Sequence, residues 1–293
     1  MAFVQLNNLT KFFSVDVNYG EAEGLTAILD ICIGIRKGEF VSFLGPSGCG
    51  KSTILEMIAG LQLPTDGTVV IDGKVVLEPP PVNKYELRDY EKKYRFISPV
   101  YNSLFKNRHR FNVSMVFQDH SIYPWKTALG NITFALKLRG MSREQRMAAA
   151  KKSLALVGLA GFENKYPYQL SGGMRQRVAL ARALAVEPKI LLMDEPFGLL
   201  DSFNRERLQE DLGTIWQQTA LTVVYITHDI EEAVYLSDRV VIMSPSPGMI
   251  RNIIPIDLER PRRRTDEEFR DICANIQRIF RSEITGEYEY GVI

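Results

Sequence analysis

Two hydrophobic periods alternate along this chain. A period of two runs from Phe3 to Phe13 and again from Ile28 to Ile35, where Arg36-Lys37-Gly38 marks a turn. Both stretches predict half-buried strands. Gly38–Gly45 is a short apolar run stopped by glycine, and a helix is expected behind it from about Gly50 to Ala59, with Leu55 and Ile58 on one face. Thr68–Val76 sets Asp72-Gly73 between β-rich runs and predicts a hairpin.

Helical spacing dominates the middle of the chain. Ser142 and Gln145 form a capping box, and the helix behind it should run to about Val157 and stop at Gly158. A second helix should open at Ser171-Gly172-Gly173 and end before Pro188. Lys189–Pro196, Leu221–Asp229 and Arg239–Met243 are continuously apolar and suit strands buried on both faces of a parallel sheet. Strands alternating with helices make the class α/β. Near the C-terminus, Thr265 and Glu268 form another capping box, ahead of an apolar face of Phe269, Ile272, Ile276 and Ile279. A docked helix is expected there.

Composition narrows the function. Lys and Arg total 36 against 35 Asp and Glu, a net charge of +1, which argues against nucleic-acid binding by bulk charge. Cys32, Cys49 and Cys273 are widely spaced with no CxxC pair, so reduced thiols are expected rather than a disulfide framework or zinc cluster. The N-terminal stretch lacks the basic-then-apolar run of a signal peptide. No stretch approaches the ~20 apolar residues of a spanning helix, so the chain is not expected to cross a membrane by itself.

The chemistry begins at Gly45-Pro46-Ser47-Gly48-Cys49-Gly50-Lys51-Ser52, which matches G-x-x-x-x-G-K-[ST] between an expected strand and an expected helix. Glycines let backbone N–H groups curl around phosphates, Lys51 reaches β- and γ-phosphates, and the Ser52 hydroxyl suits Mg²⁺. A chance glycine turn is the plainer alternative, and the flanking pattern opposes it. The apolar strand ending in Asp194-Glu195 offers a metal carboxylate and a general base. Alone, it would be two solvated acids at a strand end. Ser171-Gly172-Gly173 at a helix start offers a second phosphate-binding end, twenty-three residues before Asp194. An ordinary N-cap would explain it in isolation.

Together these motifs closely resemble the ATP-binding subunits of ABC transporters, over about Val4 to Ile256. Leu170-Ser171-Gly172-Gly173-Met174-Arg175-Gln176-Arg177 resembles that family's signature LSGGQ-x-QR, with Met174 in place of the first Gln. The resemblance implies an α/β fold, the P-loop NTPase ABC nucleotide-binding domain: a parallel-sheet core with an antiparallel β subdomain and an inserted α-helical subdomain. It implies an ATP-binding domain over residues 1–256, a helical subdomain at about 120–188, and a C-terminal extension over 257–293 with one helix.

The resemblance also implies ATP and Mg²⁺ as cofactors. The nucleotide would be held by Phe13 on adenine, by Gly45 to Thr53, and by Ser171, Gly172, Gly173 and Asp201. Phe12 rivals Phe13, and either could be core. Lys51, Gln118, Glu195 and His228 would be catalytic. Ser52, Gln118 and Asp194 would hold the metal. His109 and His120 are given structural roles.

Implied partners are a second ATP-binding subunit, two integral-membrane permease subunits and, indirectly, a substrate-binding protein, with no nucleic acid. The implied place is the cytoplasmic face of the inner membrane. Pro124-Trp125 followed by Thr127 resembles the nitrate/sulfonate/taurine importer group. The ATPase of a split exporter, or a soluble non-transport ATPase, is the alternative. An insertion at about 82–112, with eight basic and three acidic residues and seven aromatics, departs from that group. A solvated decoration and a regulatory or docking element are both open readings of it.

Overall fold

The predicted alternation resolves into two sheets with helices joining the strands of the second in this computed structural model. It describes residues 2–14, 24–79, 113–119 and 121–285. The insertion at about 82–112, with His109, and also His120, lies outside the described residues.

The first sheet is antiparallel. Strands β1 (Val4–Ser14), β2 (Gly24–Ile35), β4 (Asp66–Ile71) and β5 (Lys74–Leu77) lie in the order β2-β1-β4-β5. Alternation buries Val4 and Leu6, then meets two polar residues in succession at Asn7-Asn8. A register shift there, with Asn8 at φ 49°, returns Leu9 to the core. The β4–β5 hairpin turns on Asp72 and Gly73, both at positive φ, as a tight primed turn requires.

The second sheet contains β3 (Phe40–Leu44), β6 (Val113–Val116), β7 (Ile190–Asp194), β8 (Thr222–Thr227), β9 (Arg239–Met243) and β10 (Ile250–Pro255), in the order β10-β9-β3-β8-β7-β6. β3 pairs with β9, and β6 with β7, in parallel; β10 closes one edge antiparallel to β9. Every residue of β3 and β8 is buried, which is why these runs show no alternation in the sequence. The chain divides into two units, residues 1–95 with 224–293 and residues 96–223, the boundary falling within β8.

The first unit carries α1 (Lys51–Ile58), α6 (Ile230–Leu236) and α7 (Glu267–Thr285). A buried carboxylate fixes where β3 and β9 begin. Glu39 accepts two hydrogen bonds from Arg239, at 2.6 and 3.0 Å, and one from the Arg36 amide. α7 docks as its apolar face predicts: Phe269 and Ile276 are buried among Leu44, Val234, Val240, Ile242 and Ile256, with Ile272 and Ile279 packed alongside. It opens later than the Thr265 box places it. The first helical residue is Glu267, and the Asp266 carbonyl accepts the Arg270 amide at 3.2 Å. Asp266 is itself a capping residue type and takes the N-cap position.

Arg262 joins the tail to this unit. Its side chain is buried and donates to the carbonyls of Val234, Tyr235, Ser237, Ile256 and Leu258. Two of these belong to the last turn of α6, where carbonyls have no partner within the helix. Burial, and then the charge of Arg260, pulls the guanidinium down to about 10.

The second unit carries α2 (Ala128–Leu138), α3 (Arg143–Leu156), α4 (Gly172–Leu184) and α5 (Ser202–Thr219). Each opens on a side-chain cap: Thr127, Ser142, Ser171 and Asp201. The Ser142–Gln145 box forms in both directions, and α3 ends at Gly158 with φ 71°, as expected from the sequence. Asn131, fully buried on α2, donates to the carbonyls of Tyr123, Lys126 and Thr127 and accepts the Tyr123 amide.

Arg262→Met should lower the free energy of unfolding by about 2–4 kcal/mol, because the buried carbonyls lose their donor. Urea unfolding followed by circular dichroism measures it.

Candidate functional site

In the first unit, β3 delivers the chain to a turn at Gly45, and α1 leaves it at Lys51. Gly50 is the N-cap of α1, at φ 91°, and offers no capping side chain. The first-turn amides of α1 are therefore not covered by a side-chain oxygen, and the local dipole favours an anion. A Cβ at Gly50 would stand 2.3 Å from Ile28 Cγ2 and 2.7 Å from the Ala27 carbonyl oxygen. Glycine is required there by both conformation and space. Gly48, at φ 79°, faces open space instead.

Lys51 folds back over this turn. Its Nζ donates to the carbonyls of Gly45 and Pro46, each at 2.8 Å, and the side chain is only 6% exposed. Ser47 and Ser52 are exposed, Thr53 is half-buried and Cys49 is buried. Burial pushes the Cys49 thiol up, partly opposed by the Lys51 charge.

A second backbone closes in from behind. Gly248, just past β9, bridges to Ile28: its amide donates to Ala27 O and its carbonyl accepts the Leu29 amide, both at 3.0 Å. A Cβ on Gly248 would lie 1.9 Å from the Cys49 carbonyl oxygen. The turn Ser244–Met249 is held in shape by the Ser244 hydroxyl, which donates to Pro247 O and accepts the Met249 amide. The role of Gly248 does not show in the sequence. Pro247-Gly248 signals a turn, but not which backbone the turn meets.

His228 lies in the same unit, exposed at the junction of β8 and α6. Its neighbours are pinned. The Thr227 hydroxyl bonds the Glu232 carboxylate and accepts the Asp229 amide, and Asp229 caps α6 through the Glu232 amide. Phe13 and Phe12 are both partly exposed on β1. Phe12 lies over Gly24, where a Cβ would meet its ring, so it is packed cross-strand. Phe13 has the Lys11 ammonium 4.9 Å from its ring centroid. Lys11 also donates to Leu63 O at 2.9 Å, and burial lowers its pKa.

In the second unit, parallel pairing of Val116 with Met193 brings Gln118 and Asp194-Glu195 to the same end of β6 and β7. Ligands of open α/β sheets bind at this carboxyl end. The two side chains converge on Gly198: a Cβ there would stand 3.7 Å from Glu195 Oε2 and 3.8 Å from Gln118 Nε2. Glu195 is held at φ 39°, a left-handed conformation that costs energy for a non-glycine residue. The Gly198 amide donates to the Glu195 carbonyl at 3.2 Å and closes the turn.

Ser171 caps α4, its hydroxyl accepting the Met174 amide at 3.2 Å. Gly172 packs against Leu200, and Gly173 against Leu208 and Asn204. Asn204 in turn donates through its backbone and side chain to Asp201, which caps α5. These bonds from Asn204, the side-chain one first, lower the Asp201 pKa. The Ser171–Gly173 stretch and Asp201 are thus joined through one residue.

Residues 28–198 match the family model described as "ABC transporter". The chain belongs to the ABC transporter family. An aliphatic sulfonates import ATP-binding protein of Bacillus cereus is 39% identical over 289 residues, covering 98% of this chain and 96% of that protein. A taurine import ATP-binding protein of Yersinia pestis is 43% identical over 232 residues, 79% of each chain. An uncharacterized ABC transporter ATP-binding protein of Methanocaldococcus jannaschii is 43% identical over 281 residues, 96% of this chain and 92% of that one.

Among solved structures, a dimeric bacterial ABC transporter cassette is 34% identical with a TM-score of 0.67, covering 87% of this chain and all of that one. The same cassette in a post-hydrolysis state bound to ADP and Pi gives 0.66 with the same identity and coverage. The fold is that of the ABC cassette, an α/β P-loop NTPase domain, as the resemblance implied. Among the described residues, no helix is long and apolar enough to cross a membrane.

Gly248→Ala should push the Cys49 carbonyl and weaken binding of a fluorescent ATP analogue by about tenfold or more. Gly213→Ala, which meets nothing within 4 Å, should leave it unchanged. Equilibrium titration of both variants measures this.

Proposed function

We propose that this chain is the ATP-hydrolysing subunit of a multi-subunit ABC importer for a sulfonate, taurine, nitrate or a related small solute. The reading is carried by the import ATP-binding relatives, which match at 39–43% identity over most of the chain. It is supported by a phosphate loop whose glycines and uncapped helix start suit a polyphosphate. The proposed arrangement is a dimer of ATP-binding subunits seated on two permease subunits at the cytoplasmic face of the membrane, and served by a substrate-binding protein.

The residue roles follow the motif match. Phe13 stacks on adenine, with the Lys11 charge beneath it. The amides of Gly45 to Thr53 wrap the phosphates, and Lys51 Nζ exchanges the carbonyls of Gly45 and Pro46 for phosphate oxygens. Ser52, Asp194 and Gln118 present oxygen ligands, directly or through water, and hard oxygen donors suit Mg²⁺. When bound, the metal neutralises charge on the β- and γ-phosphate oxygens. Glu195 takes a proton from water as its oxygen attacks the γ-phosphorus, and the bond to the bridging oxygen breaks to leave ADP. His228 contacts the γ-phosphate. Ser171, Gly172 and Gly173, with Asp201 behind them, meet the nucleotide held by the partner copy. Residues 1–256 make up this domain and 257–293 extend it.

Glu195→Gln should keep ATP binding, lower kcat by about 10²–10⁴-fold and accumulate ATP-bound dimers on gel filtration. Hydrolysis at the wild-type rate would remove Glu195 as the base.

Ser171→Arg should bind ATP within about twofold of wild type and fail to form ATP-driven dimers. Normal dimers in that variant would refute a site shared between copies. Membranes solubilised with tagged Glu195→Gln protein and Mg-ATP should yield a small permease at two copies per ATPase dimer. Recovery of ribosomes or DNA instead would overturn the transport reading.

A further inference from the structure

We propose that Arg182 is a positioning residue that clamps the loop behind Gln118 to the Ser171-Gly172-Gly173 helix, so that the two respond to nucleotide as one body. The proposal rests on the functional reading above. Arg182 sits in the last turn of α4, which opens at Ser171. Its Nη1 donates to the carbonyl of Ser121 at 2.6 Å, three residues beyond Gln118. Its Cζ lies 6.0 Å from the Tyr123 ring centroid. Burial lowers its pKa, partly opposed by the neighbouring Tyr123 and Asp119.

The loop it grips is otherwise under tension. Ser121 is at φ 42°, an unfavourable conformation for serine, and its hydroxyl donates to Asp119. A charge-assisted bond to the Ser121 carbonyl is strong enough to hold such a conformation. Beyond it, Asn131 pins Tyr123, and Tyr123 packs edge-on to Phe134 at 5.1 Å. Trp125, next to this anchor and 70% exposed, is left as the outward surface of the same loop. Gln118 is thus tethered within a few residues to the far end of the helix whose N-terminus carries Ser171. A shift of Gln118 toward a γ-phosphate would reach α4 through the guanidinium that holds Ser121. Lysine cannot replace this fully, because its compact ammonium lacks the fixed fork of donors that a guanidinium holds in one plane.

The test is a double-mutant cycle with an independent structural readout. Arg182→Met should raise amide hydrogen exchange across residues 121–125 by about tenfold in the nucleotide-free chain, with the remaining core unchanged. It should lower kcat by up to ~10²-fold while the ATP dissociation constant stays within about twofold. In a Gln118→Ala background the same substitution should cost little more, because both act through one group. Arg182→Lys should recover part of both effects, and it takes the place of Arg182→Met in the cycle if the methionine variant does not fold. Unchanged exchange at 121–125, or losses from Arg182 and Gln118 that multiply, would overturn the proposal. Faster exchange in a chain that hydrolyses no ATP even as wild type would overturn the proposed function and leave the clamp.

Discussion

Everything at the phosphate loop depends on backbone meeting backbone. A turn that is to offer amides to a phosphate cannot be braced from the front. The turn from Gly45 to Gly50 is braced from behind by the Ala27–Leu29 stretch of β2 and by Gly248, neither of which leaves room for a side chain at the contact. Backbone carbonyls have no rotamers to relax, so the curvature of the turn is fixed before any ligand arrives. Preorganised donors of this kind cost nothing to reorient at the moment of binding. Burial of Lys51 over the same turn adds a charge already in place, paired for now with two carbonyls.

The second unit solves a different problem with the same means. The chemistry proposed for it uses side chains, Gln118 and Glu195, at the end of two parallel strands, and side chains need to be aimed. Glu195 is aimed by a strained backbone, and strain persists only where surrounding structure over-determines it. Here that structure is the fully buried run Ile190–Met193 on one side and the Gly198 turn on the other. Under the proposed clamp, Gln118 is aimed by the loop that Asn131 and Arg182 hold. Two buried or half-buried polar residues on neighbouring helices thereby set the position of an exposed one.

Much of this was legible in the sequence, and the reasons are local. β3, β7 and β8 are continuous apolar runs because both faces are covered. The Ser142 box and Gly158 declare a helix at both ends. The phosphate loop is a fixed pattern of glycines, lysine and serine within eight residues. What escaped is either sparse or distant. α5 buries only Leu208, Gln209, Leu212 and Ile215 among eighteen residues, too thin a stripe to stand out from its polar flanks. Gly248 lies about two hundred residues from the carbonyl it nearly touches, and Arg182 about sixty from Ser121. A motif states which residues are present; it does not state what the folded chain brings against them. Asp201 shows the converse, since its geometry gives it a cap on α5 in addition to whatever it does for a partner copy.

His228 shows how far from the site its geometry is decided. It sits on the junction before α6, a helix of seven residues. A helix of that length is unstable alone, and its persistence comes from packing. One face of α6 is covered by α7 through Ile230, Ala233, Val234 and Tyr235, and Arg262 saturates carbonyls of its last turn. Arg264 stacks on Tyr235 with its Cζ 4.0 Å from the ring centroid. The stretch from Arg260 to Phe280 therefore fixes the short helix, and the short helix fixes the backbone that presents His228. Residues 260–280, which carry none of the nucleotide motifs, in this way hold the backbone at His228.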